Sequence, residues 1–345
     1  MNIFRSILLG LGLIVFLSSV LASEEITPYK FPHKGGPKSA PHYDIPPSSR
    51  FTVRRLEADA PDIVYYFTKA KGGERYPIAL VCGGSSSPDE IDSIIHVHRY
   101  LLQEFMDAGA GVLTVEQWGV DGNKVHQKEF MDHYTRSERL KDHKAVIAHL
   151  KLNPPSGWNG KLIFLGVSEG GPIVTTLTTD YPEITLATIN WSGAGDWAWR
   201  EELWVFLQDF LSQNPECPQH HKKLRDCKAC SEPIVSRERY DAYMNDTVNN
   251  PTAEKYFLNM TYKYHADALN YPPPSYQELK TPFLVVAGTR DSIISSSDAF
   301  VQKAKNAGCK ITYLRIDDMD HYVARRPDII KQSFQWLREQ MRLNN

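Results

Sequence analysis

The chain has 345 residues, of which 42% are hydrophobic and 23% charged; 39 Lys and Arg stand against 41 Asp and Glu, a formal net charge of −2. These proportions are those of a packed globular protein and exclude a disordered chain, a collagen-like fibre and a multi-span membrane protein. The charge balance offers no basic surface for a nucleic-acid partner.

Residues 1–22 (MNIFRSILLGLGLIVFLSSVLA) have the layout of a cleavable export signal. Arg5 supplies the positive end and Ile7–Phe16 the apolar run. Val20 and Ala22 occupy the −3 and −1 places of a small-residue cleavage site. The run is shorter than the ~20 residues of a spanning helix, so the expected product is exported, secreted or periplasmic, with no stable membrane span once the signal is removed. Residues 23–50, rich in Pro, Ser and Lys, read as an extended arm.

Strand-like and helix-like segments alternate from there on. Phe51–Leu56 and Asp62–Thr68 read as two strands of a hairpin. Tyr76–Cys82 is a continuous apolar run ending in Gly83 and Gly84, the pattern of a strand buried on both faces. Helical spacing covers Pro88–Ala108, closed by Gly109. Gly111–Val115 is strand, Ser137–Leu150 helix, Lys161–Leu165 strand, Gly170–Thr179 helix and Ile184–Trp191 strand. The alternation lapses over 193–279, where aromatic residues and cysteines gather and no clear strand is legible. It resumes with strand Pro282–Ala287, helix Ser297–Ala307, strand Ile311–Ile316 and an amphipathic helix over Arg326–Met341. Such alternation builds a parallel sheet covered on both faces, here with residues 193–279 inserted as a lid between two strands.

The residues that carry chemistry lie at strand ends. Gly166-Val167-Ser168-Glu169-Gly170 matches G-x-S-x-G, follows a predicted strand and opens a predicted helix, the context of a nucleophile elbow. At so tight a turn, side chains at Gly166 and Gly170 would meet neighbouring backbone, and the serine is left strained with its hydroxyl outward. A Gly-rich strand–helix turn without chemistry would carry the same letters. A serine nucleophile requires a base, and the base an orienting acid. Asp291 lies just past the strand ending at 287, and His321 shortly after the strand ending at 316, both at the edge where open parallel sheets place their sites. Asp317, Asp318 and Asp320 compete for the acid's role, and His96, His98, His143 and His149 for the base's. The latter four fall within predicted helices, and a residue one place from His321 cannot easily face its ring.

Backbone N–H groups for an oxyanion hole are expected at Glu169 and, from the Gly83-Gly84 loop, at Gly84 or Ser85. The Glu169 side chain reads by default as a first-turn acid complementing the helix dipole. Cys217, Cys227 and Cys230 crowd one stretch, which in an oxidising compartment reads as a local disulfide of Cys217 with Cys227 or Cys230; only half of a zinc-knuckle spacing is present. Cys82 or Cys309 is expected to stay free, since five cysteines cannot all pair. Three sequons begin at Asn190, Asn245 and Asn259, the first at a buried strand end.

On these motifs the chain resembles α/β-hydrolase-fold proteins over residues 51–343. GVSEGG is similar to the elbows of exported esterases, dienelactone-hydrolase-like proteins and serine-peptidase relatives. The resemblance implies an eight-stranded, mostly parallel sheet, a lid after the sixth strand and hydrolysis through an acyl-serine. It departs from lipase-type members in having Cys82 where an HGGG loop begins with histidine. It departs from prolyl-oligopeptidase-like members in lacking both a tyrosine after the serine and a propeller domain.

The expected activity is cleavage of a carboxylic ester or thioester by Ser168, His321 and Asp291, without metal or organic cofactor. A peptidase of the same fold and a binding protein on a hydrolase scaffold are the alternatives. Trp197, Trp199, Trp204, Phe206, Phe210 and the tyrosines that follow read either as the lining of an apolar or aromatic acyl pocket or as packing of the lid on the core, while Trp191, at the end of a predicted strand, reads as core.

Overall fold

The computed structural model describes residues 49–343, apart from 58, 73–74, 87–90, 123, 214–235 and 259. The first 48 residues and the cysteines Cys217, Cys227 and Cys230 therefore lie outside the described residues. Cys82 and Cys309 are free thiols. No described helix is long and apolar enough to cross a membrane.

Eight strands form one sheet: β1 (Ser49–Val53), β2 (Ile63–Thr68), β3 (Tyr76–Cys82), β4 (Gly111–Val115), β5 (Trp158–Val167), β6 (Thr185–Trp191), β7 (Phe283–Gly288) and β8 (Ile311–Ile316). Their order across the sheet is β1-β2-β4-β3-β5-β6-β7-β8. β2 pairs antiparallel with both β1 and β4, and every other pairing is parallel. The apolar runs are explained by two-sided burial: in β3, Ala79 and Val81 enter the core on one face while Ile78, Leu80 and Cys82 enter the core on the other. A strand alternates its side chains across the sheet, so only a run without polar residues satisfies both faces.

Helices α1 (Ile95–Asp107) and α9 (Pro327–Leu343) cover one face, where Phe105 and Phe334 meet edge to face at 4.7 Å. Helices α3 (Arg136–Leu152) and α4 (Gly170–Asp180) cover the other, with Ile147 and Ile173 in its core. The short α2 (Gln127–His133) precedes α3 and was not legible in the sequence. α3 starts at Arg136 because the Thr135 hydroxyl accepts the Glu138 N–H at 3.1 Å, half of a T-x-x-E capping box. α1 starts at Ile95 rather than near Pro88: Glu116 takes the Ser93 hydroxyl and, at 3.0 Å, the Ile94 N–H.

Between β6 and β7 the chain forms α5 (Trp199–Gln213), α6 (Arg237–Asn249) and α7 (Tyr262–Asn270). A two-residue ribbon, Tyr256–Phe257 with Met260–Thr261, corrects the expectation that this span holds no strand. α8 (Ile294–Asn306) then packs Phe300 on Phe283 of β7. Asn190 is fully buried, so the first sequon is closed to modification in the folded chain.

β3 is flanked by β4 on one side and β5 on the other. The chain reverses its direction of growth there, and the carboxyl ends of β3 and β5 border the crevice where open α/β sheets place ligands.

Candidate active site

Ser168 sits at the end of β5 with φ +50°, a conformation that L residues rarely adopt. Its N–H donates to Trp191 O at 2.8 Å, and its own carbonyl accepts the Gly171 N–H at 2.8 Å. The elbow is thus pinned to β6 below and to the first turn of α4 ahead. The glycines are required by space. A Cβ on Gly166 would lie 2.5 Å from Val174 Cγ2 and 2.6 Å from Gly170 O, and one on Gly170 would overlap Cys82 O and lie 2.8 Å from Gly83 O.

The structure brings Ser168, His321 and Asp291 together. His321 Nε2 is 2.9 Å from Ser168 Oγ, and its Nδ1 is 2.8 Å from Asp291 Oδ2. An ionised Asp291 can only accept, so the imidazole carries its proton on Nδ1 and Nε2 is left as the acceptor for the serine O–H. Asp291 is buried in the turn between β7 and α8, where its Oδ1 accepts the Ile293 N–H at 3.2 Å. That turn is joined to the His321 loop by Thr289 N–H to Ile316 O at 2.9 Å and Arg290 N–H to Met319 O at 3.0 Å. His321 and Asp291 are therefore set by adjacent parallel strands. The His321 side chain keeps 30% of its surface exposed, and so faces solvent or substrate on one side.

Four of the competing residues are engaged elsewhere. Asp318 pairs with Arg290 at 3.1 Å, and Asp320 with Arg325 at 2.7 Å. His98 is fully buried between the hydroxyls of Thr68, at 2.9 Å, and Thr114, at 3.0 Å. His143 donates Nδ1–H to Arg139 O at 2.6 Å.

Of the expected oxyanion donors, Gly84 is the one against the serine: a Cβ there would be 3.3 Å from Ser168 Cβ and 3.9 Å from its Oγ. Ser85 follows it and is exposed. The next amide, Ser86 N–H, donates to Tyr134 Oη at 2.9 Å. Glu169 brings its own N–H to the start of α4.

The Glu169 side chain corrects the sequence reading. It makes no capping bond to α4 and is not a surface acid; it is 6% exposed. Its carboxylate accepts from the Tyr134 and Tyr264 hydroxyls, from Arg139 Nη1 at 2.9 Å and from Arg136 Nε at 3.4 Å. Burial alone favours the neutral acid, but the charges of Arg139 and Arg136, with the two hydroxyls, hold its pKa below the ordinary value. Burial, followed by the Glu169 charge, pushes both tyrosines well above theirs. A buried carboxylate persists only with such partners. Arg136 and Arg139, three apart on α3, are the trace it leaves in the sequence, and nothing in the sequence reading singled them out.

Several of the aromatic residues after β6 are engaged in packing, whereas Phe206 is exposed. Trp199 meets Tyr264 edge to face at 5.7 Å and carries the Arg136 guanidinium over its ring at 4.7 Å. Tyr240 and Phe257 are buried in the insertion's own core, and Trp204 lies against Tyr240 at 5.1 Å. Trp191 belongs to the core of the sheet, against Phe334.

Comparison with known proteins agrees with this architecture. The model of a hydrolase family described as Serine aminopeptidase, S33, matches residues 93–324. No curated protein sequence matches the chain. Among solved structures, it is similar to a carboxylesterase of the ammonia-oxidizing thaumarchaeon Nitrososphaera gargenis, at 14% identity over 83% of this chain and 98% of that one, TM-score 0.52. It is similar to a fungal esterase from Rhizomucor miehei at 15% identity over 89% and 85% of the two chains, TM-score 0.55. It is also similar to an acylaminoacyl peptidase of Pyrococcus horikoshii, at 14% identity over 85% of this chain and 40% of that one, TM-score 0.52. At these identities the likeness concerns the fold. The chain belongs to this serine aminopeptidase-type hydrolase family, within the α/β-hydrolase superfamily.

Proposed function

We propose that the protein is a serine hydrolase that cleaves a carboxylic ester or thioester through an acyl-serine. The observation that carries this reading is the alignment of Ser168 Oγ, the His321 ring and Asp291 at 2.9 and 2.8 Å. Ser168 attacks the acyl carbonyl as His321 Nε2 takes its proton, and Asp291 orients and stabilises the imidazolium. The tetrahedral oxyanion is held by N–H groups at Glu169 and the Gly84 loop. His321 returns the proton to the leaving group, then takes one from the water that releases the acyl group. Ser168, the turn after β3 and the start of α4 meet at one strand-end crevice, which supports this division of roles.

The substrate is a small acyl compound. The helices described between β6 and β7 act as a lid, a role supported by Tyr264 of α7 reaching the residue next to the nucleophile. Export of the mature protein from the cytoplasm is the reading that the signal-like sequence of residues 1–22 supports.

A peptidase activity is the second reading, favoured by the description of the matching family. Labelling by a fluorophosphonate, mapped by peptide mass, tests the first: one adduct on Ser168, absent from Ser168→Ala, is expected, and an unlabelled folded wild type would overturn it. Turnover of aminoacyl amides faster than of matched short-chain esters would decide for the peptidase.

A further inference from the structure

The two expected sources of oxyanion donors belong to separate pieces of chain, the loop after β3 and the elbow after β5. One buried cluster touches both. Arg139 divides its guanidinium: Nη1 donates to Glu169, while Nη2 donates to Gly83 O at 2.6 Å and lies 3.4 Å from Cys82 Sγ. Tyr134 also joins the two sides, accepting the Ser86 N–H at 2.9 Å and giving its only proton to Glu169. The residues held on the loop, Gly83 and Ser86, bracket Gly84 and Ser85; the residue held on the elbow, Glu169, adjoins Ser168.

We propose that Glu169, Arg139 and Tyr134 form a positioning cluster that fixes the Gly84 loop against the elbow, so that both halves of the oxyanion hole stand ready at one separation. The proposal rests on the reading of Ser168 as nucleophile. A glycine-rich loop is soft by itself, whereas donors stabilise a developing oxyanion only if they need no reorganisation during the reaction. A carboxylate held by two guanidinium groups and two hydroxyls, with every member buried, cannot shift one partner without exposing another's charge. Tyr264 extends the same cluster to α7, so the insertion is fastened at this point as well.

The test compares wild type, Glu169→Gln and Tyr134→Phe by the second-order rate of fluorophosphonate labelling and by steady-state turnover of p-nitrophenyl butyrate, with inhibition by a butyl trifluoromethyl ketone, which forms an oxyanion on the serine. The expected result for either folded variant is a fall of about 10- to 100-fold in kcat and in labelling rate. KM should stay within about threefold, and the ketone's inhibition constant should rise by the same factor as kcat falls. Should Glu169→Gln not fold, Tyr134→Phe, which removes one oxygen and leaves the ion pairs, decides alone. Labelling of a folded variant at the wild-type rate would overturn the proposal. So would a loss seen equally in KM, which marks a collapsed site and not a displaced donor. A wild type that is not labelled at all would overturn the functional reading itself.

Discussion

The two glycines of the elbow touch: a Cβ on Gly166 would lie 2.6 Å from the carbonyl oxygen of Gly170. Gly170 in turn lies against the carbonyls of Cys82 and Gly83 at the end of β3. Backbone faces backbone at both places, so neither neighbour can rotate away. Gly170→Ala is expected to destabilise the protein by about 1–3 kcal/mol, as an overpacked core does, and to abolish turnover by moving Ser168. Urea unfolding followed by tryptophan fluorescence measures it, and an unchanged midpoint would contradict the contact.

Asp291 holds the proton of His321 on Nδ1. Asp291→Asn presents an amide that can stabilise the other tautomer, and kcat should fall about 10⁴-fold with the fold intact. Asp318→Asn, which alters an exposed pair with Arg290, should leave kcat within about twofold. A residual activity of Asp291→Asn above a tenth of wild type would remove Asp291 from the assigned role.

Among the described residues, three histidines are buried and held neutral. Burial pushes the pKa of His98 down to about 3, and those of His143 and His265 down to about 4. As pH falls below the ordinary value of ~6.5, the unfolded chain takes up these protons before the folded one does, so stability is lost from there down to the lowered values. Each contributes a slope of about 1.4 kcal/mol per pH unit. Glu169 acts in the same direction further down: its lowered pKa gives stability above the ordinary carboxyl value that is lost as pH falls through the folded one. Urea midpoints at pH 7 and pH 5 should therefore differ steeply, with close to three protons taken up on unfolding from these side chains; equal midpoints would refute the assignment.

Residues 1–22 are expected to be removed on export. The intact mass of protein recovered from an exporting host should correspond to a chain beginning at Ser23. A chain retaining Arg5 in a membrane fraction would show an uncleaved anchor instead.

The elements that form the sheet were legible because their cause is local. Tyr76–Cys82 and Phe283–Gly288 are apolar throughout since both faces of each strand are covered, and Gly166 and Gly170 are glycines since backbone passes them too closely for a Cβ. The same locality made Ser168 readable as an elbow residue, and its order with Asp291 and His321 followed from strand ends. What only the tertiary structure decided is which polar groups meet. Asp291 faces His321, and Asp318 and Asp320 do not, because β7 and β8 lie side by side. Glu169 reads as a helix-start acid until Tyr264, 95 positions away, and Arg139, 30 positions away, are folded against it. Trp199 and Trp204 read equally as pocket or packing until their neighbours are known. A periodic pattern records how a residue faces its own element; the partner of a buried charge or ring is fixed by how elements pack, and no short window of sequence contains that.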